Sequence, residues 1–338
     1  MTKRRAVSLT FIEGVSVLEP LKLKAPCKDY LWGGTKLRTE YHQQSDQEKI
    51  AESWMLSCHK DGLSVITGGK YDGLTLKEYI DQAGKQVLGT DCNSFEYFPI
   101  LVKLIDANDR LSIQVHPNNE YALTHEGEYG KTEMWYIVDC EPGAFLYYGF
   151  QKSISKEEFA ERIRSNTLTD VLNRVEVHPG DVFFIDSGTL HAIGAGILVA
   201  EIQQNSNTTY RIYDYGRVGA DGKPRALHVE KAMDVTKLER PQRSCKPQGE
   251  LKKDGDATYT LLASCKYFTV SRVELSGTIS CCADTSSFQS ILCLSGDAQL
   301  VREGEPPMAF TKGDSIFIPA GMGTYQLQGS AEFLLTSV

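Results

Sequence analysis

The run Leu111-Ser-Ile-Gln-Val-His116 alternates apolar and polar side chains without a break. On a β-strand this puts Leu111, Ile113 and Val115 on one face and Ser112, Gln114 and His116 on the other. One face can build a core; the other presents a hydroxyl, an amide and an imidazole. Strand rise sets Gln114 and His116 about 6 to 7 Å apart, near enough to share one ion. Lys131 and Glu133 repeat the two-residue spacing at the head of an apolar run, and His191 follows the stretch Gly180-Asp-Val-Phe-Phe-Ile-Asp-Ser-Gly-Thr-Leu190. Two imidazoles, a carboxylate and a neutral amide oxygen suit Zn²⁺ better than Mn²⁺, Co²⁺ or Fe²⁺. With one anionic ligand a divalent ion keeps a charge of about +1, enough to polarise a substrate oxygen or a bound water. Lys131 points the same way as Glu133, and a cation there calls for an anion between it and the metal. His42, His59, His125, His178 and His228 lack such partners and read as surface or core histidines.

These donors lie far apart in the chain, so strands must bring them together. From Phe98 to Tyr215 short β-type runs are punctuated by Gly, Asn and Asp, the spacing of a sandwich or barrel. Two helical stretches interrupt the pattern. Near 75–88, Leu76, Tyr79, Ile80 and Val87 fall at helical spacing behind Thr75 as N-cap; near 155–173, Ser155 followed by Glu158 forms a capping-box pattern. The last hundred residues echo the middle of the chain: Gly180-Asp-Val-Phe-Phe-Ile185 returns as Gly313-Asp-Ser-Ile-Phe-Ile318. In that register Gly188 falls on Gly321 and His191 on Thr324, while a looser extension sets Glu133 near Gln289. The reading is two jelly-roll modules, residues 1–240 and 241–338, with the metal ligands in the first alone.

The 338 residues exceed the size at which one core usually stops growing, which favours two domains or one core with a helical appendage. A net charge of −8 and a pI near 5.5 leave no basic excess to neutralise nucleic acid. The segment Met1 to Glu13 carries Lys3, Arg4 and Arg5 but lacks a signal-peptide cleavage site, and no apolar run is long enough to cross a bilayer. Nine cysteines, an odd number without a C-x-x-C pair, read as reduced thiols in a cytoplasmic protein. Cys281, Cys282 and Cys293 have no metal-site spacing.

Val199 to Arg217 is unusually polar for a β region: Glu201, Gln203 and Asn205 share one strand parity, which Arg211 and Arg217 keep if no bulge intervenes. This pattern suits either a lined cavity or a solvated strand face.

The segments Phe98 to Asn118, Gly130-Lys-Thr-Glu-Met-Trp-Tyr136, Ser187-Gly-Thr-Leu-His-Ala-Ile193 and Asn205 to Arg217 together resemble the type I mannose-6-phosphate isomerases, most of all the short bacterial members. The likeness runs from about Trp32 to Val235 and weakens beyond. It implies a mainly β fold of two cupin-like jelly-roll modules with a small helical insertion, and one zinc per chain on Gln114, His116, Glu133 and His191. It implies Glu201, Arg211 and Lys131 as catalytic residues, and Ser112, Lys131 and Arg217 as the phosphate anchor. Arg217 stands where long-form members carry lysine, and Asn207 where other members carry aspartate. The implied reaction interconverts D-mannose 6-phosphate and D-fructose 6-phosphate through a cis-enediol, with Glu201 or a zinc-held water as base, in a monomer or homodimer. Other readings are a different sugar-phosphate isomerase on the same fold, a non-catalytic sugar binder, and a cupin dioxygenase, against which Gln114 counts.

Overall fold

The computed structural model describes residues 18–219 and 222–338; the leader-peptide question at Met1 to Glu13 lies outside them. The described chain is mainly β, as the alternating patterns require. Three large antiparallel sheets organise it.

Two of these sheets face each other and make the first module. The six-stranded sheet runs Val182–Ile185, Glu133–Cys140, Ile197–Gln204, Ile100–Ala107, Glu52–Leu56 and Cys27–Lys28. The five-stranded sheet runs Leu172–Glu176, Phe145–Phe150, His191–Ile193, Ile113–Val115 and Tyr210–Tyr213. Trp135, Phe183 and Val199 of the first meet Leu146, Tyr148 and Ile193 of the second in one apolar core. The Leu111 to His116 alternation does separate the two faces, but both are covered. Leu111, Ile113 and Val115 are buried, and so are Ser112 and His116. A polar face enclosed in this way has to be lined by groups that satisfy one another.

The parity argument across Val199 to Arg217 fails at one point. Ile197–Gln204 ends in the six-stranded sheet, and Tyr210–Tyr213 belongs to the five-stranded one, so residues 205–209 cross between sheets. Glu201 and Arg211 approach the same interior from opposite walls rather than along one strand.

The third sheet is nine-stranded and contains all the strands after residue 250. Leu21–Lys24 and Val65–Thr67 extend it, with Leu21 opposite Phe317. The repeat is visible in its geometry. Val182–Ile185 and Ser315–Ile318 are both strands, and the glycines around each occupy left-handed backbone: φ is 95° and 88° at Gly180 and Gly188, 88° and 79° at Gly313 and Gly321. Only glycine adopts those angles without strain. Glu133 pairs with Ile185 just as Gln289 pairs with Ile318, so the two residues hold equivalent places.

Helix Leu76–Ala83 starts at Thr75, whose hydroxyl accepts from the Glu78 N–H while the Glu78 carboxylate accepts from the Thr75 N–H. This reciprocal box satisfies two donors the first turn would leave bare. Its Tyr79 packs edge-on to Phe317, which stacks on Phe288, which stacks in turn on Phe98. One core therefore ties the helical insertion and both modules together. Helix Lys156–Arg164, capped by Ser155, and helix Val229–Val235 cover the outer face of the five-stranded sheet.

Candidate active site

His191 lies opposite Gln114 in register, and Gln114 lies opposite Arg211, so the five-stranded sheet sets these three side by side. Glu133 comes from the facing sheet. His116, Glu133 and His191 place one donor atom each within 4.8 Å of one another, and all three are buried. Glu133 Oε2 is 3.6 Å from His116 Nε2, and Oε1 is 3.5 Å from His191 Nε2.

The imidazoles are oriented by backbone. Nδ1 of His116 is 2.9 Å from the Thr208 carbonyl, and Nδ1 of His191 is 2.8 Å from that of Thr189. A carbonyl oxygen can only accept, so each Nδ1 carries the proton and each Nε2 keeps its lone pair toward Glu133. Burial lowers the His191 pKa to about 4, and burial with the nearby Lys131 charge drives that of His116 well below its ordinary value. Both rings are neutral at neutral pH, the form that binds a metal. His191 Nε2 and Glu133 Oε1 find no hydrogen-bond partner among the described residues, an expensive arrangement for buried polar atoms unless a cation is shared between them. Nitrogen and carboxylate donors in a dry site fit a zinc-type ion.

Beside this triad runs a buried chain of alternating charges. Lys131 Nζ is 2.6 Å from Glu133 Oε2, 3.2 Å from His116 Nε2 and 3.6 Å from Glu201 Oε1. Lys103 Nζ is 3.1 Å from Glu201 Oε1 and 3.5 Å from Glu52 Oε2. The Trp135 indole donates to Glu201 Oε2 at 2.8 Å. Burial would raise the Glu201 pKa, but Lys103, Lys131 and the indole outweigh it and hold the carboxyl low. Glu133 goes the other way: burial and the Glu201 charge raise it against the pull of Lys131. Two carboxylates of opposed proton affinity thus share one ammonium.

The chain of charges opens into a cavity of about 260 Å³ lined by Ser112, Gln114, Lys131, Glu201, Arg211 and Arg225, among others. Arg211 Nε donates to Ser112 Oγ at 3.1 Å, and Ser112 donates to Gln114 Oε1 at 3.2 Å. A single relay therefore connects the guanidinium to a candidate metal ligand.

Family models match both parts of the chain: "Phosphomannose isomerase type I, catalytic domain" over residues 21–136 and "Mannose-6-phosphate isomerase, cupin domain" over residues 257–338. The mannose-6-phosphate isomerase ManA of Bacillus subtilis is 40% identical over 320 residues, covering 94% of this chain and 98% of its own. The chain belongs to the type I phosphomannose isomerases. A Streptococcus mutans mannose-6-phosphate isomerase is 38% identical, over 94% of this chain and 97% of that one. The crystal structure of a Bacillus subtilis mannose 6-phosphate isomerase superposes with a TM-score of 0.88 at 34% identity, covering 94% of this chain and 99% of that one. An Archaeoglobus fulgidus structure at 22% identity, with a TM-score of 0.72, shares the fold. Membership makes the chain an aldose–ketose isomerase by class, with cupin architecture in its second module.

Set against this isomerase cavity, the residues expected from sequence divide. Ser112, Gln114, Lys131, Glu201 and Arg211 line it, and His116, Glu133 and His191 lie directly behind Lys131. Arg217 does not line it. Its Nη2 is 2.6 Å from Asp214 Oδ1, its other nitrogens donate to the Asp214 and Arg110 carbonyls, and its guanidinium lies over the Tyr215 ring. Gln203 is also spent elsewhere, donating to the Gln204 and Ser206 carbonyls. His228, read from sequence as a surface or core residue, borders the cavity beside Arg211. Sequence reasoning missed Lys103, Trp135 and Arg225. Lys103 and Trp135 flank Glu201 on the two neighbouring strands, a signal available only once the register is known.

Proposed function

We propose that the chain interconverts D-mannose 6-phosphate and D-fructose 6-phosphate through a cis-enediol, with zinc held by Gln114, His116, Glu133 and His191. The observation that carries this reading is the buried His116–Glu133–His191 convergence next to a cavity that also presents Glu201 and Arg211. A zinc ion bound there would supply positive charge where the sugar oxygens at C1 and C2 gain negative charge.

The protein groups supply the rest. Glu201 takes the proton from C2, exchanges it with solvent and delivers a proton to C1, while the hydroxyl proton on O2 passes to O1. The ammonium groups keep it anionic and so available as a base at neutral pH, and once protonated it gives its proton up readily. Lys131 lies within reach of Glu201 and balances charge as the proton moves. Arg211, fixed by Ser112 and the Ala226 carbonyl, offers its guanidinium to the developing enediolate. Anchoring the phosphate through Ser112 orients the reacting carbons. No helix among the described residues is long and apolar enough to cross a membrane. All nine cysteines are free thiols, in keeping with a cytoplasmic enzyme.

The test is to supply mannose 6-phosphate in D₂O and follow the product by NMR. Fructose 6-phosphate carrying solvent deuterium at C1 is the expected result. No product would reject the isomerase reading, and product wholly free of deuterium would reject a solvent-exchanging enediol route.

A further inference from the structure

Arg225 ends the segment that leaves strand Tyr210–Tyr213, and it reaches the cavity where the sequence pointed to Arg217. One carboxylate accounts for both positions. Asp214, buried at the mouth of this segment, accepts from Arg217 Nη2 on one oxygen and from Arg225 Nε at 2.7 Å on the other, with Arg225 Nη2 also on Oδ1. This fork uses Nε and Nη2 of Arg225 and leaves Nη1 without a hydrogen bond among the described residues. Arg217, by contrast, spends Nε, Nη1 and Nη2 on protein acceptors.

Charge points the same way. Arg217 and Arg225 bracket Asp214, and Arg211 lies within electrostatic reach of all three, with Asp109, 3.6 Å from Arg217 and half exposed, as a weak second anion. The Arg211 guanidinium is depressed first by burial and then by the Arg225 charge, so the two cations feel each other across the cavity wall. Like charges held this close to Ser112 and Tyr30 call for an anion of more than one charge. A guanidinium pre-set by a bidentate carboxylate has lost most of its rotamer freedom and can meet a phosphate with its remaining edge.

Resting on the proposed isomerase reading, we propose that Arg225, fixed by Asp214, binds the substrate's phosphate group together with Ser112, and that Arg217 only braces Asp214. The residue thereby selects 6-phosphorylated over unphosphorylated hexose.

The experiment compares Arg225→Gln, Arg225→Lys and Arg217→Gln with the wild type, metal-loaded and checked for equal metal content. Loss of one charged hydrogen-bond donor should raise KM for mannose 6-phosphate and the inhibition constant of inorganic phosphate by about 10- to 100-fold in Arg225→Gln, with kcat changed far less. Arg225→Lys should recover part of both, and Arg217→Gln should change them by no more than about threefold. Unchanged KM and phosphate inhibition in Arg225→Gln, or the larger effect in Arg217→Gln, would overturn the assignment while leaving the isomerase reading intact. A wild type inert on mannose 6-phosphate would instead overturn the isomerase reading. Labelling of the wild type with phenylglyoxal, mapped by mass spectrometry, needs neither turnover nor a folded variant. Inorganic phosphate should protect Arg225 and not Arg217, and equal labelling of Arg225 with and without phosphate would reject the site.

Discussion

His116 and His191 face each other across Glu133, ring centroids 4.8 Å apart, each presenting Nε2 to a different oxygen of that carboxylate. The backbone carbonyls behind the rings, from Thr208 and Thr189, hold the lone pairs in place before any ion arrives. Such preorganisation is what separates a metal site from two buried histidines that happen to be close.

His191→Ala should therefore leave a folded protein that has lost its metal. Elemental analysis should fall from about one ion per chain to near none, and isomerase activity should drop at least about 100-fold. A variant that keeps a full complement of metal would remove His191 from the ligand set.

Arg211→Ala is expected to behave differently. Its guanidinium touches Ser112 and the Ala226 carbonyl but none of the histidines or Glu133. Metal content should stay at the wild-type level while kcat falls by about 10²- to 10³-fold, the usual loss when a donor to a developing oxyanion is removed. Loss of bound metal in this variant would show that Arg211 holds the site together rather than serving the reaction.

Glu128 links pH to stability. Its carboxylate is held down to about 2 by His59, with burial opposing and Lys60 and the Asn207 N–H assisting. A carboxyl near 4.5 when unfolded and near 2 when folded contributes stability above pH 4.5, and that contribution disappears as pH falls through 2. Glu128→Gln should cost about 1 to 2 kcal/mol at pH 7, a figure reduced for partial exposure. The gap from wild type should narrow between pH 4.5 and 2 in urea denaturation of chelated protein. A gap that is constant with pH would mean the loss is one of packing.

Phe317→Ala tests how the two modules are joined. The ring is fully buried and touches Phe288 and Tyr79, so truncation should cost about 3 to 5 kcal/mol. Calorimetry should show one transition at lower temperature if the modules unfold together. A loss below about 1 kcal/mol would mean that the Phe317 ring does not hold a packed core shared by the modules.

Sequence brought out the candidate metal donors because strand alternation and a two-residue spacing are local properties, legible in Gln114-x-His116 and Lys131-x-Glu133; of these His116 and Glu133 converge with His191 in the structure. The internal repeat was equally legible, since Gly180 and Gly313 need backbone angles that only glycine adopts freely, and it carried the equivalence of Glu133 and Gln289 into the structure. What escaped was set by long-range pairing. Residues 205–209 change sheets, so counting parity from Glu201 to Arg217 could not say where the later arginines point. Arg217 and Arg225 are sorted by which of their nitrogens Asp214 and the Arg110 carbonyl engage, a matter of three-dimensional closure that no spacing encodes. Lys103 and Trp135 likewise acquire meaning only as cross-strand neighbours of Glu201.

Metal-dependent isomerisation is read most simply by a coupled assay for fructose 6-phosphate from mannose 6-phosphate, run on protein as purified, after chelation, and after zinc is restored. On the zinc-isomerase reading, activity should vanish with the metal and return with zinc in proportion to the His116, Glu133 and His191 sites filled. Activity that survives complete removal of metal, or zinc-replete protein that leaves mannose 6-phosphate unchanged, would contradict it.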